Sequence, residues 1–274
     1  MKRDIKVVVA DIDGTMIPNQ PHTMTDYGRQ IMTELHNGGV LIGAASGRNV
    51  SQIKAFEDEF KLPFQFDIII GQNGVELYEL ESDTNDIMGM LDKDTVKYIV
   101  TTMLNKFPDL NPSCYNNGNR LVLRDQANYS QGNHNSNMPN EIARNVEQFW
   151  EKDRPKVMFR VTEEVMAEIY PYAKEIENGK FYAMRTQQTM LEFMNVEATK
   201  GKCLEKYMKK HNLDPKYVMA FGDMDNDDDM LIAAGTGVAL KNSAEGTLKI
   251  ADEITKLTND EDGMHHYIKE ELLD

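Results

Sequence analysis

Four groups of polar residues carry side chains that could do chemistry, and each stands where a predicted strand ends or a predicted helix begins. They are Asp11 with Asp13, Ser46 with Gly47, Lys200, and the run GDMDND at 222–227. Carboxylates from separate strands repel one another unless a divalent cation lies among them, and an all-oxygen ligand set suits Mg²⁺. A lysine, a hydroxyl and free amides at a helix N-terminus are what a phosphate dianion would bind. Together these residues predict a site for metal-assisted phosphoryl transfer.

Each group on its own also has a structural interpretation. Asp13 followed by a glycine is typical of a turn, and Ser46 can cap the helix that follows it. Lys200 lies among other lysines on a predicted helix. Asp11 fits a structural role poorly, because a carboxylate directly after a buried strand loses hydration unless a cation meets it. The four groups taken together favour the chemical interpretation.

The segments that must position these groups alternate between strands and helices. Strands are predicted at 7–10, 40–46 and 66–72, and helices at 23–36 and up to about residue 60. The third strand is followed by Asn73-Gly74, which we interpret as a hairpin-like turn. A βαβαβ pattern is typical of a parallel, doubly wound sheet, whose ligands bind at the carboxyl ends of the strands. The predicted fold class is therefore α/β, with a doubly wound, mostly parallel, Rossmann-like core sheet.

From about residue 83 the elements become shorter and more polar, which favours a separate α+β module inserted into the first domain. Within it, residues 128–140 are interpreted as a polar loop and residues 140–151 as a helix. The α/β pattern resumes with a basic helix at 198–211. The predicted boundaries are 1–82 and 189–274 for the core and 83–188 for the inserted α+β cap.

The composition restricts the partners and the compartment. Lysine and arginine number 30 against 45 aspartates and glutamates, so the net charge of −15 would repel a nucleic acid backbone. The 2 cysteines lack metal-ligand spacing, which disfavours disulfides and zinc and fits a reducing compartment. The N-terminus has too few apolar residues for export, and no apolar run approaches the roughly 20 residues of a membrane helix. We expect a cytoplasmic protein that binds neither nucleic acid nor membrane.

Four motifs resemble those of the haloacid dehalogenase-like (HAD) phosphatases in both order and spacing. They are DIDGT at 11–15, SGR at 46–48, the TKG around Lys200, and GDMDND at 222–227. The later segments AGTGVALKNSAEGTLKIADEIT and NDEDGM resemble the C-terminal part of the Cof-type branch. That branch contains sugar-phosphatase-like enzymes with a large α/β cap inserted between the second and third motifs. The resemblance therefore implies the same fold that the element order predicts.

The resemblance also implies a role for each motif residue. Asp11 is implied as the nucleophile that forms an aspartyl-phosphate, and Asp13 as the group that protonates the leaving alcohol and then activates water. Mg²⁺ is implied between the carboxylates of Asp11 and Asp223 and the backbone carbonyl of Asp13. The groups implied to hold the phosphoryl group are Ser46, the Gly47 amide, the backbone amide near Ile12, Lys200 and Asn226.

Two more residues of the motifs are expected to support the site, and the sequence departs from the family pattern at one place. Asp227 is expected to orient Lys200 or a metal-bound water, and Thr15 to bond locally and stabilise its own loop. The fourth motif runs on as Asp228-Asp229, where the branch usually has an apolar residue after the position of Asp227. These additional acids raise the local negative charge and bear on metal affinity.

The leading hypothesis is a Mg²⁺-dependent phosphatase that hydrolyses small phosphomonoesters, such as sugar phosphates, through an aspartyl-phosphate. Substrate choice is expected in the cap, where Arg124, Tyr129 and Arg185 are candidates to reach the leaving group. A phosphotransferase or phosphomutase with the same intermediate is the alternative. A receiver-like signalling module fits badly, because receivers place the phosphorylated aspartate on a later strand and need no large insert. The expected partner is a small phosphorylated metabolite, and the expected assembly is a monomer or weak homodimer.

Overall fold

The computed structural model describes residues 2–125 and 139–273, so most of the predicted polar loop at 128–140 lies outside the described residues. The chain divides into two compact units, one made of Met1–Met88 and Ala198–Asp274 and the other of Gly89–Glu197.

The described residues form strands and helices with the following bounds. The strands are β1 (Val7–Asp11), β2 (Leu41–Ala45), β3 (Ile68–Gly71), β4 (Glu76–Glu79), β5 (Thr84–Ile87), β6 (Pro112–Asn116), β7 (Asn119–Val122), β8 (Asn140–Ile142), β9 (Lys156–Arg160), β10 (Phe181–Gln187), β11 (Met190–Asn195), β12 (Val218–Gly222), β13 (Thr236–Ala239) and β14 (Glu253–Ile254). The helices are α1 (Asp26–Asn37), α2 (Val50–Phe60), α3 (Lys93–Lys106), α4 (Glu163–Glu175), α5 (Lys200–Lys210), α6 (Asp228–Ala233), α7 (Glu245–Ile250) and α8 (Gly263–Glu271).

The sheet of the first unit has the order β14-β13-β12-β1-β2-β3-β4-β5. Its strands from β14 to β3 are parallel, and β4 and β5 add an antiparallel edge. Val8 and Ala10 of β1 face the apolar cluster that contains residues of α1, α2 and α8, whereas Val7 and Val9 face the cluster with residues of α5 and α6. The run in β1 is apolar throughout because helices cover both faces of the sheet. The predicted doubly wound α/β core is therefore confirmed.

The second unit is an α+β module whose sheet has the order β10-β11-β9-β6-β7-β8. All of its neighbouring strands are antiparallel except β7 and β8. Val157 and Phe159 of β9 and Leu191 and Phe193 of β11 pack in one core with residues of α3 and α4. This unit buries an apolar core of its own.

The domain boundaries differ from the predicted ones by a few residues at both junctions. The predicted cap began at residue 83, but β5 at 84–87 pairs with β4 in the sheet of the first unit. The predicted core resumed at residue 189, but β11 at 190–195 pairs with β9 and β10 in the second sheet. Strand pairing depends on tertiary contacts that local composition does not show. Both boundaries predicted from composition therefore lie too early in the chain.

Two predicted helices are corrected by the structure. Residues 140–151 form the short strand β8 and a 3₁₀ turn at Val146–Trp150, because residues 140–142 pair with β7 and pairing overrides helix propensity. The helix predicted from residue 23 begins at Asp26, where Thr25 caps it by accepting a hydrogen bond from the amide of Gly28. Across residues 2–125 and 139–273, no helix has both the length and the apolarity that crossing a membrane requires.

Candidate active site

The predicted site residues lie at the carboxyl edge of the central strands of the first sheet. Asp11 is the last residue of β1, which pairs in parallel with β12 and β2. Asp223 follows β12 and Ser46 follows β2 directly. Neighbouring parallel strands end at the same edge, so residues separated by about 200 positions in sequence come into contact there.

Three buried carboxylates form a cluster at this edge. Asp11, Asp223 and Asp227 each offer a carboxylate oxygen, and these oxygens lie within 4.8 Å of one another. The loop after β1 approaches the cluster closely, since a Cβ at Gly14 would lie 2.5 Å from Oδ2 of Asp223. Gly14 also has a φ of +82°, so glycine is required at this position for both reasons.

Thr15 connects the first motif to the fourth. Its hydroxyl donates to Oδ1 of Asp223 at 2.8 Å, in a fully buried hydrogen bond between residues 208 positions apart. The sequence led us to expect that Thr15 would bond within its own loop, and this expectation is wrong. The hydroxyl instead holds the Asp223 carboxylate in place at the cluster.

Lys200 is the cation of the cluster. It is fully buried at the first position of α5, and its Nζ contacts Oδ1 of Asp11 and lies 2.6 Å from Oδ1 of Asp227. Asp227 is fixed in turn, because its Oδ2 accepts the amides of Asp223 at 3.0 Å and Met224 at 3.1 Å. The structure thus contains the contact expected between Asp227 and Lys200.

The charges in the cluster do not balance. Burial lowers the pKa of the Lys200 ammonium, but Asp11 and Asp227 outweigh burial and raise this pKa above its ordinary value. Burial raises the pKa of Asp11 despite the opposing effect of Lys200. Burial and the charge of Asp227 raise the pKa of Asp223 to about 7, although the Thr15 hydroxyl opposes the rise. Three carboxylates facing one ammonium leave an excess of negative charge, and an oxygen-only donor set of this kind fits Mg²⁺.

Asp13 does not place its carboxylate in this cluster. Its side chain is 44% exposed, contacts Nη1 of Arg48, and lies 3.1 Å from Nη2 of Arg48 and 2.6 Å from Nε2 of His22. Burial raises the pKa of the Asp13 carboxyl, but the hydrogen bonds from His22 and Arg48 outweigh burial and lower it to about 2. In this arrangement Asp13 is an ionised carboxylate, and its two partners oppose its protonation.

Sequence reasoning assigned no role to either partner of Asp13. Arg48 stands inside the quoted SGR motif, directly after Ser46 and Gly47, so its proximity to the site could have been inferred. His22 lies in a polar stretch before α1 with no motif around it, and only the tertiary structure places its ring against Asp13.

The residues predicted to hold a phosphoryl group border the cluster. Ser46 is buried, and its Oγ accepts the amide of Arg48 at 3.3 Å. The Nδ2 of Asn226 donates to Oδ1 of Asn73 at 3.3 Å, and the Asn73 amide group lies 3.5 Å from the position that a Cβ on Gly47 would take. Ile12 buries its side chain in the core, so only its backbone can serve the site.

The two acidic residues after the fourth motif, Asp228 and Asp229, contact residues outside the carboxylate cluster. Asp228 accepts a hydrogen bond from the Thr247 hydroxyl at 2.7 Å, which joins the start of α6 to α7. Asp229 lies against Gly201 of α5, where a Cβ would be 2.4 Å from the backbone oxygen of Asp229. Neither residue belongs to the buried carboxylate cluster found among the described residues.

The candidate specificity residues belong to the second unit. Arg124 donates to the backbone oxygens of Pro108 at 2.8 Å and Asp109 at 3.3 Å. The guanidinium of Arg185 lies 5.9 Å from the centre of the Tyr170 ring. Tyr129 lies outside the described residues.

Comparison with known proteins relates nearly all of the chain to one family. The family model for haloacid dehalogenase-like hydrolases matches residues 8–268. The chain is 24% identical to phosphatase YwpJ of Bacillus subtilis over 97% of its own length and 99% of that protein. It is also 24% identical to the 5-amino-6-(5-phospho-D-ribitylamino)uracil phosphatase YitU of the same species, over 96% of each chain. A haloacid dehalogenase-like hydrolase from Bacteroides thetaiotaomicron shares the fold, with a TM-score of 0.81 at 23% identity over 97% of this chain and 99% of that chain.

Proposed function

This chain belongs to the haloacid dehalogenase-like hydrolases, in the Cof-type branch, and from that premise we propose that it is a Mg²⁺-dependent phosphomonoesterase acting through an aspartyl-phosphate on Asp11. The comparisons show the family and support phosphatase activity. The observation that carries it is the buried contact of Lys200 with Asp11 and Asp227 beside Asp223. A nucleophile, a fixed cation and a metal-binding carboxylate are thereby brought within contact distance.

Asp11 carries out the first step. A carboxylate oxygen of Asp11 forms a bond to phosphorus while the bond from phosphorus to the leaving oxygen breaks, which gives the aspartyl-phosphate and an alcohol. Lys200 stays charged beside the attacking oxygen and faces the developing negative charge on the phosphoryl group. When held by the carboxylates of Asp11 and Asp223 and the carbonyl of Asp13, Mg²⁺ supplies positive charge that offsets the repulsion between a carboxylate and a phosphate.

Asp13 is the general acid of the first step and the general base of the second step. In its protonated form it gives a proton to the leaving oxygen, which departs as the alcohol. It then takes a proton from a water molecule while the water oxygen bonds to phosphorus and the bond from phosphorus to Asp11 breaks, which frees Asp11 and inorganic phosphate and returns Asp13 to its protonated form. With Arg48 and His22 bound to it, Asp13 is in the form needed for the second step. To donate a proton in the first step, it must exchange these two partners for the leaving oxygen.

The substrate class follows from the relatives by analogy. YitU acts on a phosphorylated ribitylamino compound, and we assign to this chain a small phosphorylated sugar or sugar-alcohol derivative of the same general chemistry. Selection among such compounds is assigned to the inserted unit, as the family resemblance implies. The cytoplasmic location and the monomeric or weakly dimeric state stay predictions.

A panel of phosphomonoesters tests the proposal. Wild-type protein should release inorganic phosphate with Mg²⁺ and lose this activity with chelator, and Asp11→Asn should be inactive under both conditions. Asp225→Asn is the matched control, because Asp225 is an exposed acid in the loop that carries the fourth motif. Phosphate release that survives both the chelator and Asp11→Asn would overturn the mechanism. Phosphate that appears on an added sugar instead of in solution would identify a phosphotransferase.

A further inference from the structure

The loop between β3 and β4 has an unusual backbone. Gln72 and Asn73 have φ values of 51° and 55°, and Gly74 follows with a φ of +104°. Left-handed conformations are unfavourable for residues with a side chain and persist only where surrounding contacts hold them, and asparagine tolerates them better than most. The hairpin-like turn expected from Asn73-Gly74 does join the antiparallel strands β3 and β4, and it contains three consecutive residues with positive φ.

The backbone of this loop is bonded to the second motif. The amide of Asn73 donates to the carbonyl of Ser46 at 2.9 Å, and the amide of Gln72 donates to the carbonyl of Arg48 at 2.7 Å. Gly74 packs against the residue before Lys200, since a Cβ there would lie 2.2 Å from the backbone oxygen of Thr199. The strained conformation thus fits one short loop against the second and third motifs at once.

The side chain of Asn73 reaches the fourth motif. Asn73 is only 2% exposed, and its Oδ1 accepts the hydrogen bond from Asn226. Within residues 2–125 and 139–273, Nδ2 of Asn73 donates no hydrogen bond, and this atom lies 3.5 Å from the Cβ position of Gly47. A donor on a nearly buried side chain, between two groups that would bind phosphate, is suited to an anionic ligand.

We propose that Asn73 is a further phosphate-binding residue, which holds Asn226 through Oδ1 and donates from Nδ2 to the phosphoryl group. The proposal rests on the proposed function, because it names one more contact at the same site. With its left-handed backbone, residue 73 bonds its amide to the carbonyl of Ser46 while its side chain accepts from Asn226.

Binding of inorganic phosphate, measured by calorimetry in the presence of Mg²⁺, tests the proposal apart from turnover. Asn73→Asp keeps the size of the side chain and an oxygen facing Asn226, but it replaces the donor with a negative oxygen. Asn73→Gly keeps the left-handed backbone and removes both side-chain contacts. Both variants should bind phosphate about tenfold more weakly or worse, because hydrogen bonds to charged groups are among the strong ones.

Asn212→Asp and Asn212→Gly are matched controls. Asn212 is also a left-handed asparagine of the first unit, with a φ of 49°, but it is exposed. Both controls should bind phosphate as the wild type does, and circular dichroism should show folded protein for all four variants. Asn73 variants that bind phosphate as tightly as the controls would overturn the proposal, and so would loss of folded protein in both Asn73 variants.

The outcome for Asn73 is distinguishable from the outcome for the proposed function. If wild-type protein hydrolyses the phosphomonoester panel, the proposed phosphatase activity is supported, whether or not the Asn73 variants bind phosphate. If wild-type protein neither hydrolyses the panel nor binds phosphate, the proposed function is refuted. The phosphate-binding role of Asn73 is then refuted as well.

Discussion

Replacement of Lys200 by methionine removes the ammonium from the carboxylate cluster and keeps most of the apolar stem. Lys200 is fully buried and touches two of the three buried carboxylates. Breaking a buried ion pair by removal of one partner destabilises a protein by about 3–5 kcal/mol, because the other charge is left buried and uncompensated. We expect a loss of this size in the free energy of unfolding of the first unit at pH 8 with chelator present.

The loss should depend on pH with a definite sign. A carboxyl with a raised pKa in the folded state adds stability at low pH, and this stability is lost as the pH rises through the folded pKa. The pKa of Asp223 is raised to about 7, and burial also raises that of Asp11. At pH 5 these carboxyls can hold protons. Their neutral form reduces the negative charge that the missing ammonium no longer compensates. The destabilisation by Lys200→Met should therefore be smaller at pH 5 than at pH 8.

Urea unfolding followed by circular dichroism is the appropriate measurement. The single tryptophan, Trp150, lies in the second unit, so its fluorescence reports that unit rather than the one that contains the substitution. Lys209→Met is the matched control, because Lys209 is an exposed lysine on the same helix and its loss should change stability by less than about 0.5 kcal/mol. Equal stabilities of the two variants at both pH values would refute the account of an unbalanced buried cluster.

Three further predictions follow from the same structure. Gly74→Ala should destabilise by about 2–4 kcal/mol from steric overlap and left-handed strain. Gly118→Ala, at a φ of +82° and with no atom of the described residues within 4 Å of the added Cβ, should cost only about 1 kcal/mol. Burial raises the pKa of Glu79, but bonds from Lys210 and His211 outweigh burial and lower it. The stability advantage of wild type over Glu79→Gln, about 1 kcal/mol or less, should therefore hold at pH 7 and be lost as the pH falls through the lowered pKa of the folded state. Chemical unfolding at neutral and at acidic pH measures this loss. Mg²⁺ should raise the melting temperature more at pH 8 than at pH 6, because the cluster must lose protons to bind it, and scanning fluorimetry with a chelator control checks this.

The sequence by itself predicted the core fold and most of the site. The apolar run at 7–10 can be recognised as a strand of a parallel sheet because both of its faces are buried. The polar residue directly after it marks the edge of the sheet where the parallel strands end. Asp11, Asp223, Asp227 and Lys200 could therefore be grouped from order and spacing, and the structure brings them into contact. Their roles in catalysis stay predictions.

The tertiary structure decided which partner each side chain meets. Thr15 bonds to Asp223 rather than within its loop, Asp13 is held by His22 and Arg48, and Asn73 joins the second motif to the fourth. These contacts connect residues far apart in sequence, and local propensity carries no information about them. The strands at 84–87 and 140–142 were misassigned for the same physical reason, since a short strand is fixed by the neighbour with which it pairs.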